Sequence, residues 1–362
     1  MIRQGQPPVL SARMQSMLNR LHEDAEGILG ARPLEIVPES CQVRESSEVA
    51  RVRVVTPSGM HIVFAKIFRP RPGEADTGQA LTRFRRDCSV TRHVSDAMKS
   101  LPDLRAVEPI VWYEDLLGVI TNEAPGRPLS LAISRDARWP REESRLAALE
   151  LAVSRVGRWI AAFQRIASEP SASAVSLDAS RDYIDARLQK LTALPRAAFS
   201  QDDRRDVVAL FDRSAAAVGN NDLTEVAVHG DIVPSNVMAD ADRVTVLDFG
   251  MTARGSRYLD IARLYTQLEF YAAKPQYRPE TIARLQASAL EGFEAGLRAD
   301  NPLFEIAAVQ HVVCHLLSHV RQPGSFPASL YSAHQCRRHR RWLQVRARAS
   351  AAAAHAGAGS IR

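Results

Sequence analysis

Residues 226–260 read VAVHGDIVPSNVMADADRVTVLDFGMTARGSRYLD: an apolar run, a polar loop, a second apolar run, and a loop opening on Asp-Phe-Gly. Val226, Ala227 and Val228 lead into His229-Gly230-Asp231, Asn236 follows, and the β-branched run from Val244 ends on Asp248. Short β-branched runs bounded by Gly, Asp and Asn predict strands joined by turns. Pairing the two runs as a hairpin would bring Asp231, Asn236 and Asp248 to one end. A carboxylate beside an Asn–Asp pair is a donor set suited to phosphoryl transfer. The carboxylate orients or deprotonates an acceptor hydroxyl, while the pair holds Mg²⁺ against nucleotide phosphates. Mg²⁺ prefers oxygen ligands and keeps several waters, so two protein ligands suffice.

The segment resembles the catalytic and metal-binding loops of the aminoglycoside phosphotransferase and choline-kinase-like family, a branch of the protein-kinase-like fold. That pattern, HGDxxxxN followed by a strand and D-F/L-x, is matched by His229-Gly230-Asp231, Asn236 and Asp248-Phe249-Gly250. The resemblance implies an α+β, bilobal protein-kinase-like fold with a small β-rich N-lobe and a larger, mostly helical C-lobe. On this reading the N-lobe covers residues 1–122 and the hinge 123–129. The C-lobe, with both loops, covers 130–348. It further implies Asp231 as catalytic base, Asn236 and Asp248 as Mg²⁺ ligands, and His229 as a structural member of its loop. Three elements in order, in the right strand–loop context, make a chance polar hairpin the weaker reading.

Working outward, residues 8–30 carry helical spacing, with Leu18, Leu21 and Ile28 as candidates for the buried face. Residues 49–56 and 60–68 are strand-like runs joined by Pro57-Ser58-Gly59, which reads as a turn. Lysines are few, at positions 66, 99, 190 and 274, in a chain that otherwise uses arginine, so each is informative. Lys66 sits between Ala65 and Ile67 in an apolar strand, unlike a solvated lysine. In kinase-like folds this strand supplies the lysine that contacts the α- and β-phosphates. The helix expected at 81–98, marked by Phe84, Val90 and Val94, places Asp87 where the family carries the glutamate that pairs with this lysine. Aspartate is one methylene shorter, a departure from the pattern.

The phosphate-covering loop falls at residues 44–48 and contains no glycine, another departure, since protein kinases use glycine there to bring backbone amides onto the phosphates. Ser46 and Ser47 are its candidate nucleotide contacts. Residues 118–122 run as a strand into Glu123-Ala124-Pro125, whose backbone would face the adenine edge, followed by Gly126 and Leu129 of the family's Gly-x-x-Leu pattern. The remainder is expected as helices at 142–167, 181–192, 202–218, 260–272, 279–299, 302–320 and 327–348. The alanine- and glycine-rich tail, 349–362, reads as disordered.

Composition bounds the answer. At 362 residues the chain can bury a sizeable core, and 46% hydrophobic with 24% charged residues is ordinary for a globular protein. Four scattered cysteines without a CxxC pair fit a reducing cytoplasm. No signal peptide or transmembrane segment is read. The net charge of +6 leans weakly toward anionic partners. The basic run 336–341 before Trp342 reads as a solvated helix end, and no nucleic-acid partner is expected. His311, His315 and His319 fall on one helix face, as metal ligands can. Without a completing carboxylate the plainer reading is a satisfied face, one that could line an acceptor pocket.

Gly230 stands where a protein kinase has the arginine that anchors a phosphorylated activation loop, and few residues separate Gly250 from Asp260. Both favour a small-molecule acceptor. The expected activity is transfer of the γ-phosphoryl group of ATP or GTP to a hydroxyl of a sugar, a glycoconjugate, an aminoglycoside-like molecule or an alcohol. The alternative is a catalytically inactive kinase-like module that binds a nucleotide or a partner.

Overall fold

A computed structural model describes residues 8–71, 78–168, 173–321 and 326–359. The chain opens with α1 (Ala12–Leu29), β1 (Glu35–Val43), β2 (Ser47–Thr56), β3 (Gly59–Phe68) and α2 (Gly78–Met98). Short strands follow: β4 (Leu104–Ala106), β5 (Pro109–Tyr113), β6 (Gly118–Asn122) and β7 (Arg127–Pro128). Four helices come next, α3 (Leu129–Asp136), α4 (Glu143–Ala167), α5 (Leu177–Thr192) and α6 (Gln201–Ala216). The central loops are framed by β8 (Glu225–Val228), β9 (Val237–Ala239), β10 (Val244–Val246) and β11 (Ala253–Ser256). The chain closes with α7 (Leu259–Ala272), α8 (Pro279–Phe293), α9 (Pro302–Arg321) and α10 (Phe326–Gly359). Two compact units result, one of residues 1–129, 229–231 and 235–252, the other of 130–228, 232–234 and 253–362.

The first unit is built on a five-stranded antiparallel sheet in the order β1-β2-β3-β6-β5. Side chains alternate across a strand, and β2 and β3 alternate cleanly. Ala50, Val52 and Val54, with Val63, Ala65 and Ile67, point into a core closed by Met14, Met17, Leu18 and Leu21 of α1. Ser11 starts α1 by accepting the Met14 amide on its hydroxyl. Ile28, expected on the buried face, packs at the edge of this core. The same alternation sends Val49, Arg51, Phe64 and Lys66 to the opposite face, where they line a cavity. On α2 the stripe Ala80, Phe84, Asp87, Thr91 and Val94 is buried, and Val90 lies off it.

A second sheet in this unit has the order β4-β10-β9-β7. The hairpin that presents the metal-loop residues is β9–β10, with Val237 opposite Val246. Residues 226–228 do not pair with the 244–247 run as the sequence suggested. They form β8, which pairs with β11 in a two-stranded sheet of the second unit.

The second unit is otherwise helical. Its core joins Ile184 and Leu188 of α5 and Leu210 of α6 to Val309, Val313 and Leu316 of α9. By length and composition α9 is apolar enough to cross a membrane, contrary to the sequence reading: its few polar residues interrupt every apolar run but leave the mean hydropathy of Pro302–Val320 at 1.3. More than half of that segment, 56%, is buried within the protein. Asp203 forms a capping box with Ser200 at the start of α6 and also accepts from Arg340 of α10 at 2.9 Å. Part of the basic run is thereby used internally. Helix α10 continues to Gly359, so the tail read as disordered is helical through that residue. Alanine has the highest helix propensity of any residue, and residues 351–354 are all alanine.

Candidate active site

Lys66 reaches the cavity face because β3 alternates, and α2 offers Asp87 to the same space. Lys66 Nζ lies 2.9 Å from Asp248 Oδ1 and 3.4 Å from Asp87 Oδ2. Asp87 is buried, and its Oδ1 accepts the backbone amide of Phe249 at 2.6 Å. The expected lysine–carboxylate pair is therefore formed, and the shorter aspartate also fixes the loop after β10.

Electrostatics follow from this packing. Burial works against the charge on Lys66, but Asp248 and Asp87 together outweigh it and hold the ammonium above the usual lysine range. At Asp248 burial is likewise opposed by Lys66, and the carboxyl ends below its ordinary value. Asp87 goes the other way, raised by burial despite Lys66, with the charge of Asp248 adding to the rise.

The loop after β8 is shaped by its glycine. Gly230 has φ +78°, and a Cβ there would sit 2.4 Å from the Met251 carbonyl oxygen. His229 is fully buried, packs edge-on against Phe249 with ring centroids 4.9 Å apart, and accepts the Asp231 amide on Nδ1 at 3.3 Å. Asn236 Nδ2 donates to Asp231 Oδ2 at 2.9 Å and to the Asp231 carbonyl at 3.1 Å. The carbonyl of Asn236 accepts the Leu247 amide at 2.9 Å, which carries the register to Asp248. Asp248 itself has φ +68°, a left-handed conformation that costs a non-glycine residue energy and tends to occur at functional sites.

Asp231 is thus bonded to Asn236, and Asp248 and Asp87 to Lys66, with the Leu247–Asn236 backbone bond joining the two groups. With the Asn236 amide nitrogen committed to Asp231, its Oδ1 is left as an acceptor. Asp248, bonded through Oδ1 to Lys66 and also accepting the Gly250 amide, brings its carboxylate to the same space. Two oxygen donors from one amide and one carboxylate suit a hard divalent cation that retains waters. Among the described residues no group of three or more His, Cys, Asp and Glu is placed to hold a metal.

The cavity beside Lys66 holds about 410 Å³, within the range of small-molecule sites. Val49, Phe64, Val119 and Leu247 give it apolar walls, while Lys66, Asn236 and Asp248 meet at its polar end. A smaller cavity of about 60 Å³ shares Ser47, Lys66 and Asp248 with it and adds Ser46, Asp231 and Gly250.

The chain matches the model of a phosphotransferase enzyme family over residues 76–303, well over half of its 362 residues. The chain belongs to that phosphotransferase family. It is therefore a phosphotransferase. No curated protein matches its sequence closely enough to count as a relative. Solved structures share the fold at low identity. One is a thermostable mutant of an aminoglycoside phosphotransferase in ternary complex with AMP-PNP and hygromycin B. At 16% identity and TM-score 0.52, the match covers 89% of this chain and 98% of that one. A macrolide 2′-phosphotransferase from Brachybacterium faecium matches at 13% identity and TM-score 0.52, over 90% of this chain and 98% of its own. A glucosamine kinase in complex with glucosamine, ADP and inorganic phosphate matches at 14% and 0.53, over 83% and 93%.

In this phosphotransferase the other sequence candidates divide. Ser46 and Ser47 stand at the β1–β2 turn, where the Ser46 carbonyl accepts the Arg69 amide and the Ser47 carbonyl accepts the Arg44 amide. Ser47 borders both cavities and Ser46 the smaller one. Glu123 and Ala124 line the larger one, whereas Pro125 is not part of its wall. The Glu123 side chain is engaged by Arg51 at 3.0 Å and its amide by the Ile62 carbonyl at 3.2 Å. The Ala124 amide has no partner among the described residues, which leaves it as the segment's backbone donor. Gly126, at φ +92°, allows β7 to approach β9, since a Cβ there would lie 2.3 Å from the Ala239 carbonyl oxygen.

The histidine face packs inward in the second unit. His311 Nε2 bonds to the Leu259 carbonyl at 2.7 Å. His315 stacks on Phe270 with centroids 3.9 Å apart, and His339 of α10 lies 4.9 Å from His315. The sequence reading missed Arg71 and Arg83, which border the smaller cavity. Arg83 could have been found: it precedes Asp87 by one helical turn and so shares its face.

Proposed function

We propose that this phosphotransferase moves the γ-phosphoryl group of ATP or GTP to a hydroxyl of a small molecule, with Asp231 as the base that receives the hydroxyl proton. The observation that carries this reading is the Asn236–Asp231 pair and the Lys66–Asp248 pair brought to two cavities that share Lys66 and Asp248, the larger with room for a nucleotide. In the reaction the acceptor oxygen bonds to the γ-phosphorus as the bond to the β,γ-bridging oxygen breaks. ADP or GDP leaves with the electron pair, and the acceptor proton passes to Asp231. Lys66 holds the α- and β-phosphates, Asp87 positions Lys66, and Ala124 presents its amide to the base. Ser46 and Ser47 border the phosphates from the β1–β2 turn. Asn236 Oδ1 and the Asp248 carboxylate would hold Mg²⁺, which supplies charge neutralisation to the phosphate oxygens when bound. A sugar, glycoconjugate, aminoglycoside-like molecule or alcohol would serve as acceptor. Hygromycin B, glucosamine and macrolides in the names of the fold relatives support that class. A nucleotide donor and four free cysteines fit action in the cytoplasm.

The test is thermal unfolding with ATP and with GTP, each with and without Mg²⁺, on the wild type and Asp248→Ala. A ligand at ~100 times its dissociation constant adds ~2.7 kcal/mol of stability. A Mg²⁺-dependent shift that disappears in Asp248→Ala is expected, and the nucleotide that produces it is the donor. Absence of a shift with both nucleotides would overturn the reading.

A further inference from the structure

The smaller cavity, which holds Asp231 and Asp248, is bordered by two arginines as well as by Lys66. Arg83 projects from α2 and is steadied by a bond from its Nη2 to the Arg69 carbonyl at 2.9 Å. Arg71 lies just beyond β3, its Nη2 3.2 Å from Met251 Sδ. Lys66 is held between Asp248 and Asp87, and the two guanidinium groups border the same space from α2 and from beyond β3. Phosphoryl transfer needs positive charge, because the transferring group spreads negative charge over its equatorial oxygens. A guanidinium meets it with a planar fork of donors matched to phosphate geometry.

Elsewhere in the kinase-like fold, glycine-rich backbone covers this group with amides. The β1–β2 turn has no glycine, and its chain is tied down by the Arg44–Ser47 and Ser46–Arg69 backbone bonds. Side-chain donors from α2 and the end of β3 reach the same region without requiring the turn to approach the phosphates.

We propose that Arg83, together with Arg71, holds the γ-phosphate of the bound nucleoside triphosphate beside Asp231, in place of the amides of a glycine-rich loop. The inference rests on the nucleotide reading above and extends it to two residues outside the motif.

The experiment measures binding of AMP-PNP and of ADP, each with Mg²⁺, to the full chain by ligand-dependent thermal unfolding. It compares wild type, Arg83→Ala, Arg83→Lys and Arg71→Ala. Arg83→Ala should weaken AMP-PNP on the order of tenfold to a hundredfold, as loss of a charged hydrogen bond does, and leave ADP nearly unchanged. Arg83→Lys should fall between, and Arg71→Ala should show the same selectivity for AMP-PNP. Equal losses for both nucleotides, or none for either, would overturn the proposal while leaving the nucleotide site intact. A wild type that binds neither nucleotide would overturn the nucleotide reading itself. Should Arg83→Ala not fold, Arg83→Lys and Arg71→Ala decide by the same comparison.

Discussion

Asp87 accepts the backbone amide of Phe249 at 2.6 Å. This joins α2 to the loop that carries Asp248, while the other Asp87 oxygen faces Lys66. A shorter side chain at this position thus performs two tasks, pairing the lysine and setting the loop. Asp87→Ala would leave the Phe249 amide buried without its partner and remove one of two carboxylates from Lys66. A loss of about 2–4 kcal/mol is expected, from the cost of an unmet buried donor and a broken ion pair. Asp87→Asn keeps an acceptor for Phe249 and should cost less. Chemical denaturation of both variants checks the order, and equal losses would show that the charge, not the bond to Phe249, dominates.

Gly230 tolerates no side chain. At φ +78°, with the Met251 carbonyl in the way, Gly230→Ala adds backbone strain of about 1–3 kcal/mol and displaces the next residue, Asp231. The expected result is a fall in kcat larger than any change in nucleotide affinity, read from steady-state kinetics beside a binding measurement. Unchanged kcat would contradict the geometry of this loop.

Acid should weaken the second unit before the carboxylates titrate. Burial is the main cause that lowers His311 to about 3, His315 to about 2 and His339 to about 3. Arg263 adds to the effect at His311, and His339, His319 and Arg263 add to it at His315. The folded chain keeps these rings neutral, whereas the unfolded chain binds their protons below about pH 6.5. The unfolded state then binds more protons, so stability falls as pH drops from about 6.5 toward 3, at roughly 1 kcal/mol per pH unit for each histidine. Denaturation between pH 7.5 and 5.5 measures the slope. His315→Gln and His339→Gln should flatten it, and an unchanged slope would assign the acid sensitivity elsewhere.

Much of the site was legible because it rests on strong local periods. Alternation along β3 fixed Lys66 opposite the apolar core. On α2 the family resemblance singled out Asp87, and the turn between β2 and β3 was written in Pro57, Ser58 and Gly59. The partner of β8 was not legible. Strand β11 reads Ala-Arg-Gly-Ser, with no β-branched or aromatic residue, so its extended form is imposed by the strand beside it. The histidine cluster was half legible. Positions 311, 315 and 319 share a face by spacing alone, but the approach of His339 depends on how α10 packs.

We propose that Asp231 takes the acceptor proton. The direct test is transfer of the γ-phosphate from labelled ATP or GTP to a panel of hydroxylated acceptors, with nucleotide binding followed in parallel. Asp231→Asn retains an oxygen for the Asn236 bond, so it should keep Mg²⁺-dependent nucleotide binding and lose transfer by roughly 10²–10⁴-fold. Transfer at the wild-type rate by that variant would contradict the assignment.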